Sequence, residues 1–127
     1  MDLLLKEIDS KAKVAKRVEI IAEGLDYPKD IGTAIRNHIK LNCGAVLSVQ
    51  ASPCHYCTPR VFYQNISQYR SVEIMIVSGG EKLNYDIFFE AELIEEGRWD
   101  WSSEPIGYVS IDELVSFIQS NGGLYEK

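Results

Sequence analysis

The chain has 127 residues and a formal net charge of −6, from 13 basic and 19 acidic side chains. That length is one domain, and 46% hydrophobic with 25% charged residues is the composition of a folded globule, not a disordered tail. The acidic balance excludes a broad surface for nucleic-acid phosphates, and no apolar run reaches the ~20 residues a membrane-spanning helix needs.

The N-terminus places Glu7 and Asp9 where a secretory signal requires an unbroken apolar stretch, so the expected location is the cytoplasm. Residues 3–23 carry Leu4, Leu5, Ile8, Ala12, Ala15, Val18 and Ala22 at three- and four-residue steps. That period predicts a long amphipathic helix, stopped at Gly24. Such a helix is ~30 Å long, enough for its stripe to serve the core or a second copy of the chain. Pro28 suits the first turn of a second helix, with Ile31, Ala34, Ile35, His38 and Ile39 on one face and Asn42-Cys43-Gly44 at its end. Residues 1–43 thus predict an antiparallel helical hairpin and a homo-oligomer contact. His38 reads as a partly buried, satisfied side chain.

From Gly44 the period changes to two. Residues 45–51 predict a strand. Residues 52–60, with Pro53 and Pro59, break it. Val61–Tyr63 predicts a short strand and 64–70 a polar loop. Ser71–Ser78 is a second clear strand, and Gly79-Gly80 reads as a hairpin turn. Leu83–Ile94 alternates best of all and predicts a strand with one wet face. Residues 95–107 form a loop rich in aromatics. Ser110 and Glu113 make a capping box for a last helix to about Ser120, burying Leu114, Val115, Phe117 and Ile118, and Asn121-Gly122-Gly123 ends it. The expected class is α+β: a single domain, 1–127, with a helical hairpin (1–43) and an antiparallel β-core with a C-terminal helix (44–127).

Three groups of residues carry candidate chemistry. Cys54 and Cys57 stand in C-x-x-C spacing. With Cys43 and a histidine they complete four zinc ligands only if the fold gathers them. A redox dithiol usually sits at a helix N-terminus, and here Pro59 and a strand follow. Three cysteines cannot all pair, so free thiols in a reducing compartment are expected. The same loop offers a second chemistry. Tyr56, Phe62 and Tyr63 are flanked by Arg60 and Arg70; aromatic faces stack bases and an arginine fork holds phosphate. Thr58 and loop amides add donors. The third group is the segment 81–104. It holds eight acidic residues against Lys82 and Arg98, a net of −6, with Trp99 and Trp101 embedded. This is either a solvated edge or a face for a protein that normally binds nucleic acid. No catalytic motif is present.

The segments Tyr56-Cys57-Thr58-Pro59-Arg60 with Ser71-Val72-Glu73, and Gly107–Val115 with Asn121-Gly122-Gly123, resemble short bacteriophage-encoded anti-defence proteins. The layout is similar to the phage anti-Thoeris sponge proteins. The resemblance implies a cytoplasmic, non-enzymatic immune-evasion protein without a cofactor. It implies that a helical hairpin assembles a homo-oligomer and that a β-core pocket sequesters a small cyclic nucleotide of the cyclic ADP-ribose type. It makes Arg60 the phosphate ligand, with Arg70 or Arg98 as a second, and Tyr56, Phe62, Asn84 and Phe88 the base contacts. The alternative is a protein-binding inhibitor of the anti-CRISPR type, using the acidic surface as a nucleic-acid mimic.

Overall fold

The computed structural model describes residues 3–23 and 29–125. The chain is α+β, but the helical hairpin is not there. Helix α1 covers Leu3–Lys11 only. From Val14 the backbone is extended. Strands β1 (Val14–Val18) and β4 (Thr33–Arg36) pair antiparallel in one two-stranded sheet, and β2 (Ile21–Ala22) and β3 (Lys29–Asp30) pair antiparallel in a second. The expected stops and starts at Gly24 and Pro28 lie outside the described residues. The correction has a physical reason. Val14, Val18, Ile20, Ile21, Ile31, Thr33 and Ile35 are β-branched, and they crowd a helical turn but fit a pleated surface. Gly32 agrees: a Cβ there would stand 2.0 Å from the Val18 carbonyl oxygen, so the strands cross where only glycine fits. Arg17 of β1 pairs with Asp30 of β3, linking the two sheets, and Gly32 N donates to Asp30 Oδ1 at 2.9 Å.

Strands β5 (Ile39–Lys40), β6 (Val46–Gln50), β7 (Ser71–Ser78) and β8 (Ile106–Ser110) form one antiparallel sheet in that order. The two period-two segments at 45–51 and 71–78 are its centre, in register Leu47↔Ile76 and Val49↔Ile74. Ile39, which the helical reading put on a helix face, pairs with Leu47. His38 is exposed, not partly buried.

Residues 83–94 are not a strand. A 3-10 turn (Gly80–Lys82) follows β7 in place of the hairpin turn, and Gly80 lies under Trp101, whose Cδ2 a Cβ would approach to 2.1 Å. Helix α2 (Asp86–Glu90) comes next. Asn84 starts it, its Oδ1 accepting from Asp86 N at 2.8 Å. The helix ends through Glu92 N donating to the Phe89 carbonyl at 3.1 Å and Leu93 N to the Phe88 carbonyl at 3.0 Å. That paired arrangement requires a left-handed residue, and Glu92 supplies it with φ 58°. Phe88, which alternation from Leu83 would turn to the wet face, is fully buried and stacks on Phe117 at 4.4 Å.

The C-terminal helix is where the sequence puts it. Helix α3 spans Ile111–Ser120, and its capping box is complete: Glu113 N donates to Ser110 Oγ at 3.1 Å and Ser110 N to Glu113 Oε1 at 2.9 Å. Leu114, Phe117 and Ile118 are buried, while Val115 is half-buried. Val61–Tyr63 forms no strand. The segment is a loop held from below by two buried side chains. Tyr69 Oη donates to the Val61 carbonyl at 2.7 Å and accepts from Tyr63 N at 2.7 Å. Arg36 reaches the Tyr63 and Gln64 carbonyls at 2.8 and 2.7 Å. One hydrophobic cluster runs from Ile8 through the sheet to Phe88, Phe117 and Leu124. Among the described residues no helix is long and apolar enough to cross a membrane.

Candidate functional site

The loop after β6 is tightly built. Its ends are tied by a bridge between Thr58 and Ser71 and by Arg70 N donating to the Thr58 carbonyl at 2.8 Å. Tyr56 N donates to Glu73 Oε1 at 3.2 Å, and Tyr108 N donates to the Tyr56 carbonyl at 3.0 Å. Tyr56 and Tyr108 are both exposed, with ring centroids 6.0 Å apart. Gly107 permits that approach, since a Cβ there would come within 2.9 Å of Tyr56 Cβ. Arg60 lies over the Tyr56 ring at 5.5 Å, and its Nε donates to the His55 carbonyl at 3.1 Å. An arginine and two open rings thus form a small shelf.

The structure brings Tyr56, Thr58, Arg60 and the Arg70 backbone together. It turns the remaining predicted ligands elsewhere. Phe62 is half-buried beneath the Arg17 guanidinium, 4.5 Å from its ring centre. Asn84 is exposed and tied to Asn121 Oδ1 through its own N–H at 2.7 Å. Phe88 has no surface to offer a base. Arg98 is exposed and pairs with Glu95 at 3.7 Å. The amides of His55, Tyr56, Cys57 and Thr58 are all spent inside the fold, so none of them is a free donor. Tyr108 is the residue the sequence reading passed over. Its signal was Gly107 beside it, small enough for a neighbouring ring to close on the backbone.

The second surface is the acidic one. Glu81, Asp86, Glu90, Glu92, Glu95, Glu96, Asp100 and Glu104 are all exposed. Among them Glu95 alone has an ion-pair partner among the described residues. Asp100 instead accepts from the Ser102 N–H and hydroxyl at 3.0 and 2.8 Å, which holds its carboxyl below the usual range. Between these carboxylates lies a groove of about 600 Å³ floored by Phe89, Leu93 and Ile94 and rimmed by Glu92, Glu95 and Glu96. A smaller hollow of about 260 Å³ continues it along Arg98, Trp99, Glu104 and Pro105. The tryptophans do not project. Trp99 meets Tyr85 edge-on at 4.9 Å, and Trp101 covers Gly80. They clamp the loop to the body, and Phe89 and Leu93 supply the apolar floor.

The four-ligand set of Cys43, Cys54, Cys57 and a histidine does not assemble: among the described residues no three His, Cys, Asp or Glu side chains converge as a metal site. Cys54 is exposed, Cys43 half-buried and Cys57 buried. Burial is the main cause pushing the Cys57 thiol up. Comparison with family models, with curated proteins and with solved structures finds no match to this chain.

Proposed function

We propose that this chain is a non-enzymatic protein-binding module that docks its acidic face onto a basic protein surface of the kind that normally holds nucleic-acid phosphates. One observation carries the reading. The carboxylates around the Phe89–Leu93 groove are exposed and almost all lack a cationic partner, so their field projects outward instead of being spent on the fold. Opposite charge steers encounter and fixes orientation, and an apolar floor inside a charged rim is the common build of an interface. This is the inhibitor expectation with its apolar component moved from tryptophan to phenylalanine and leucine. The test uses a basic nucleic-acid-binding protein as probe. Glu90→Lys, Glu92→Lys and Glu96→Lys together should weaken capture at least tenfold and leave the melting temperature nearly unchanged, because exposed substitutions of this kind usually alter stability by under about 0.5 kcal/mol. Capture should also fall steeply with salt. Salt-insensitive binding would remove the reading.

A second reading rests on the Tyr56–Arg60–Tyr108 shelf: sequestration of a small cyclic nucleotide, as the anti-Thoeris resemblance implies, with a base on the rings and a phosphate on Arg60. Assembly would then need a surface other than a helical hairpin. Calorimetry with cyclic ADP-ribose separates the readings. Arg60→Ala should abolish the heat of binding without unfolding the protein, since Arg60 is exposed and its side chain makes one hydrogen bond, to the His55 carbonyl. Equal affinity in the variant would end this second reading.

A further inference from the structure

We infer that Cys54 and Cys57 form a thiol–disulfide exchange site, in which exposed Cys54 attacks a low-molecular-weight disulfide and buried Cys57 resolves the adduct. The inference is independent of either binding role.

Both sulfurs are gathered on one buried residue, Ser52. Cys57 Sγ donates to the Ser52 carbonyl at 3.3 Å, and Cys54 Sγ lies 3.4 Å from Ser52 Oγ. The His55 N–H closes the turn onto the Ser52 carbonyl at 3.2 Å. Ser52 Oγ also lies 2.6 Å from His55 Nδ1. Thiol, hydroxyl and imidazole therefore make a short path along which the Cys54 proton can leave. Sequence alone argued against a redox pair because no helix N-terminus follows to stabilise a thiolate. The structure supplies a different device, a histidine reached through a buried serine.

His55 is suited to accept that proton. Burial, the largest cause, holds its pKa below the ordinary value against the opposing charge of Glu73, and Arg36 and Arg60 act in the same direction as burial. These three are the charged groups that face it, from β7, β4 and the loop. The ring is therefore neutral at pH 7, and in the tautomer protonated at Nε2 its Nδ1 accepts from the Ser52 hydroxyl. The asymmetry of the pair sets the order of events. Cys54 is open to solvent, whereas Cys57 is 1% exposed and its thiol is held up by burial, so it stays protonated until a disulfide is delivered beside it.

The steps balance. Cys54 loses its proton towards His55, and its thiolate attacks one sulfur of glutathione disulfide. A Cys54–glutathione disulfide forms and one glutathione thiolate leaves, taking up a proton. Cys57 then loses its proton, attacks the Cys54 sulfur and expels the second glutathione, which is also protonated. Two protein thiols are oxidised to one disulfide, and one glutathione disulfide is reduced to two thiols.

The experiment uses the reduced full-length protein and glutathione disulfide, read by intact mass and peptide mapping. The expected product has lost two hydrogens, maps to Cys54–Cys57 and leaves Cys43 unmodified. Cys57→Ala, with Cys57→Ser as the better-folded companion, should accumulate one stable glutathione adduct on Cys54. Cys54→Ala should give no adduct on Cys57. His55→Asn keeps an amide beside Ser52 but cannot take the proton. In the Cys57→Ser background it should slow adduct formation roughly tenfold at pH 7, where a free thiol is only a few per cent thiolate, and should remove the His55 inflection from the rate–pH profile. A stable adduct on Cys54 in the natural sequence, faster reaction at Cys43, or no reaction would overturn the exchange site. A rate–pH profile unchanged by His55→Asn would overturn the role given to His55.

Discussion

Arg36 is the strongest place to test how this fold is held together. The side chain is 1% exposed, and among the described residues no carboxylate pairs with it. Its guanidinium donates instead to three main-chain carbonyls, those of Gln64 at 2.7 Å, Tyr63 at 2.8 Å and Ala51 at 3.3 Å. It lies near the rings of Phe62 and Tyr69, at 5.9 and 5.8 Å, while Nε has no partner among the described residues. Burial pulls its pKa down, and the Tyr69 hydroxyl and the Asp9 carboxylate act in the opposite direction. Arg36→Met keeps the apolar stem and removes the donors. A hydrogen bond from a charged donor contributes about 1.5–3 kcal/mol, so the two short ones amount to roughly 3–6 kcal/mol. Against this, methionine relieves the cost of burying a charge, which is several kcal/mol. The acceptors left behind decide the balance, because an unsatisfied carbonyl costs about 1–3 kcal/mol when fully buried, as at Ala51, and less at the part-buried Tyr63 and Gln64. We expect a net loss of roughly 3 kcal/mol. Urea unfolding followed by fluorescence measures it: with a slope near 2 kcal/mol per M for a chain of this size, the midpoint should fall by about 1.5 M. A midpoint that stays put or rises would show that the loop carbonyls find water or repack, and that the guanidinium is dispensable to stability.

Two further predictions concern local strain and pH. Glu92→Gly should raise stability by about 0.5–1 kcal/mol in the same assay, since the left-handed conformation costs a residue with a Cβ about 1–2 kcal/mol and glycine gives part of that back through the unfolded chain; destabilisation would mean the Glu92 side chain is doing more than capping. Because burial lowers the His55 pKa, the unfolded chain binds more protons than the native one between the folded pKa and about 6.5. Stability should therefore be lost as pH falls through that window, and His55→Asn should flatten the loss when melting temperature is followed from pH 8 to pH 5.

The parts of the fold legible in the sequence are those where local chemistry and tertiary contacts agree. The capping box at Ser110 and Glu113 uses side chains three residues apart, and nothing distant competes with it. Strands β6 and β7 carry both the period and the β-branched content of a buried pair. The misread segments are those where one pattern satisfies two templates. In 83–94, alternation is real in the sequence, but Asn84 is drawn to Asn121 across the fold, and that contact turns the chain into a helix and buries Phe88 on Phe117. In 14–36, apolar spacing fits a helix while the side chains carrying it are β-branched, and residue type outweighs spacing once strands 14–18 and 33–36 can pair. The acidic segment was legible as composition, not as a groove, because its shape depends on that same helix.

The same logic separates the two binding readings. The Arg60 shelf is assembled from a loop whose amides are already committed inside the fold, so a phosphate there would be met by one exposed guanidinium and few fixed donors. Tight anion sites usually add oriented N–H groups to an arginine. The acidic face has the opposite character: apart from Glu95 and Asp100 its carboxylates make no ion pair or capping bond among the described residues, and the structure beneath them, from Trp99 and Trp101 to the α2–α3 contact, is packed against the core. Packed support under unpaired charge favours recognition of an extended basic surface over capture of a single small anion.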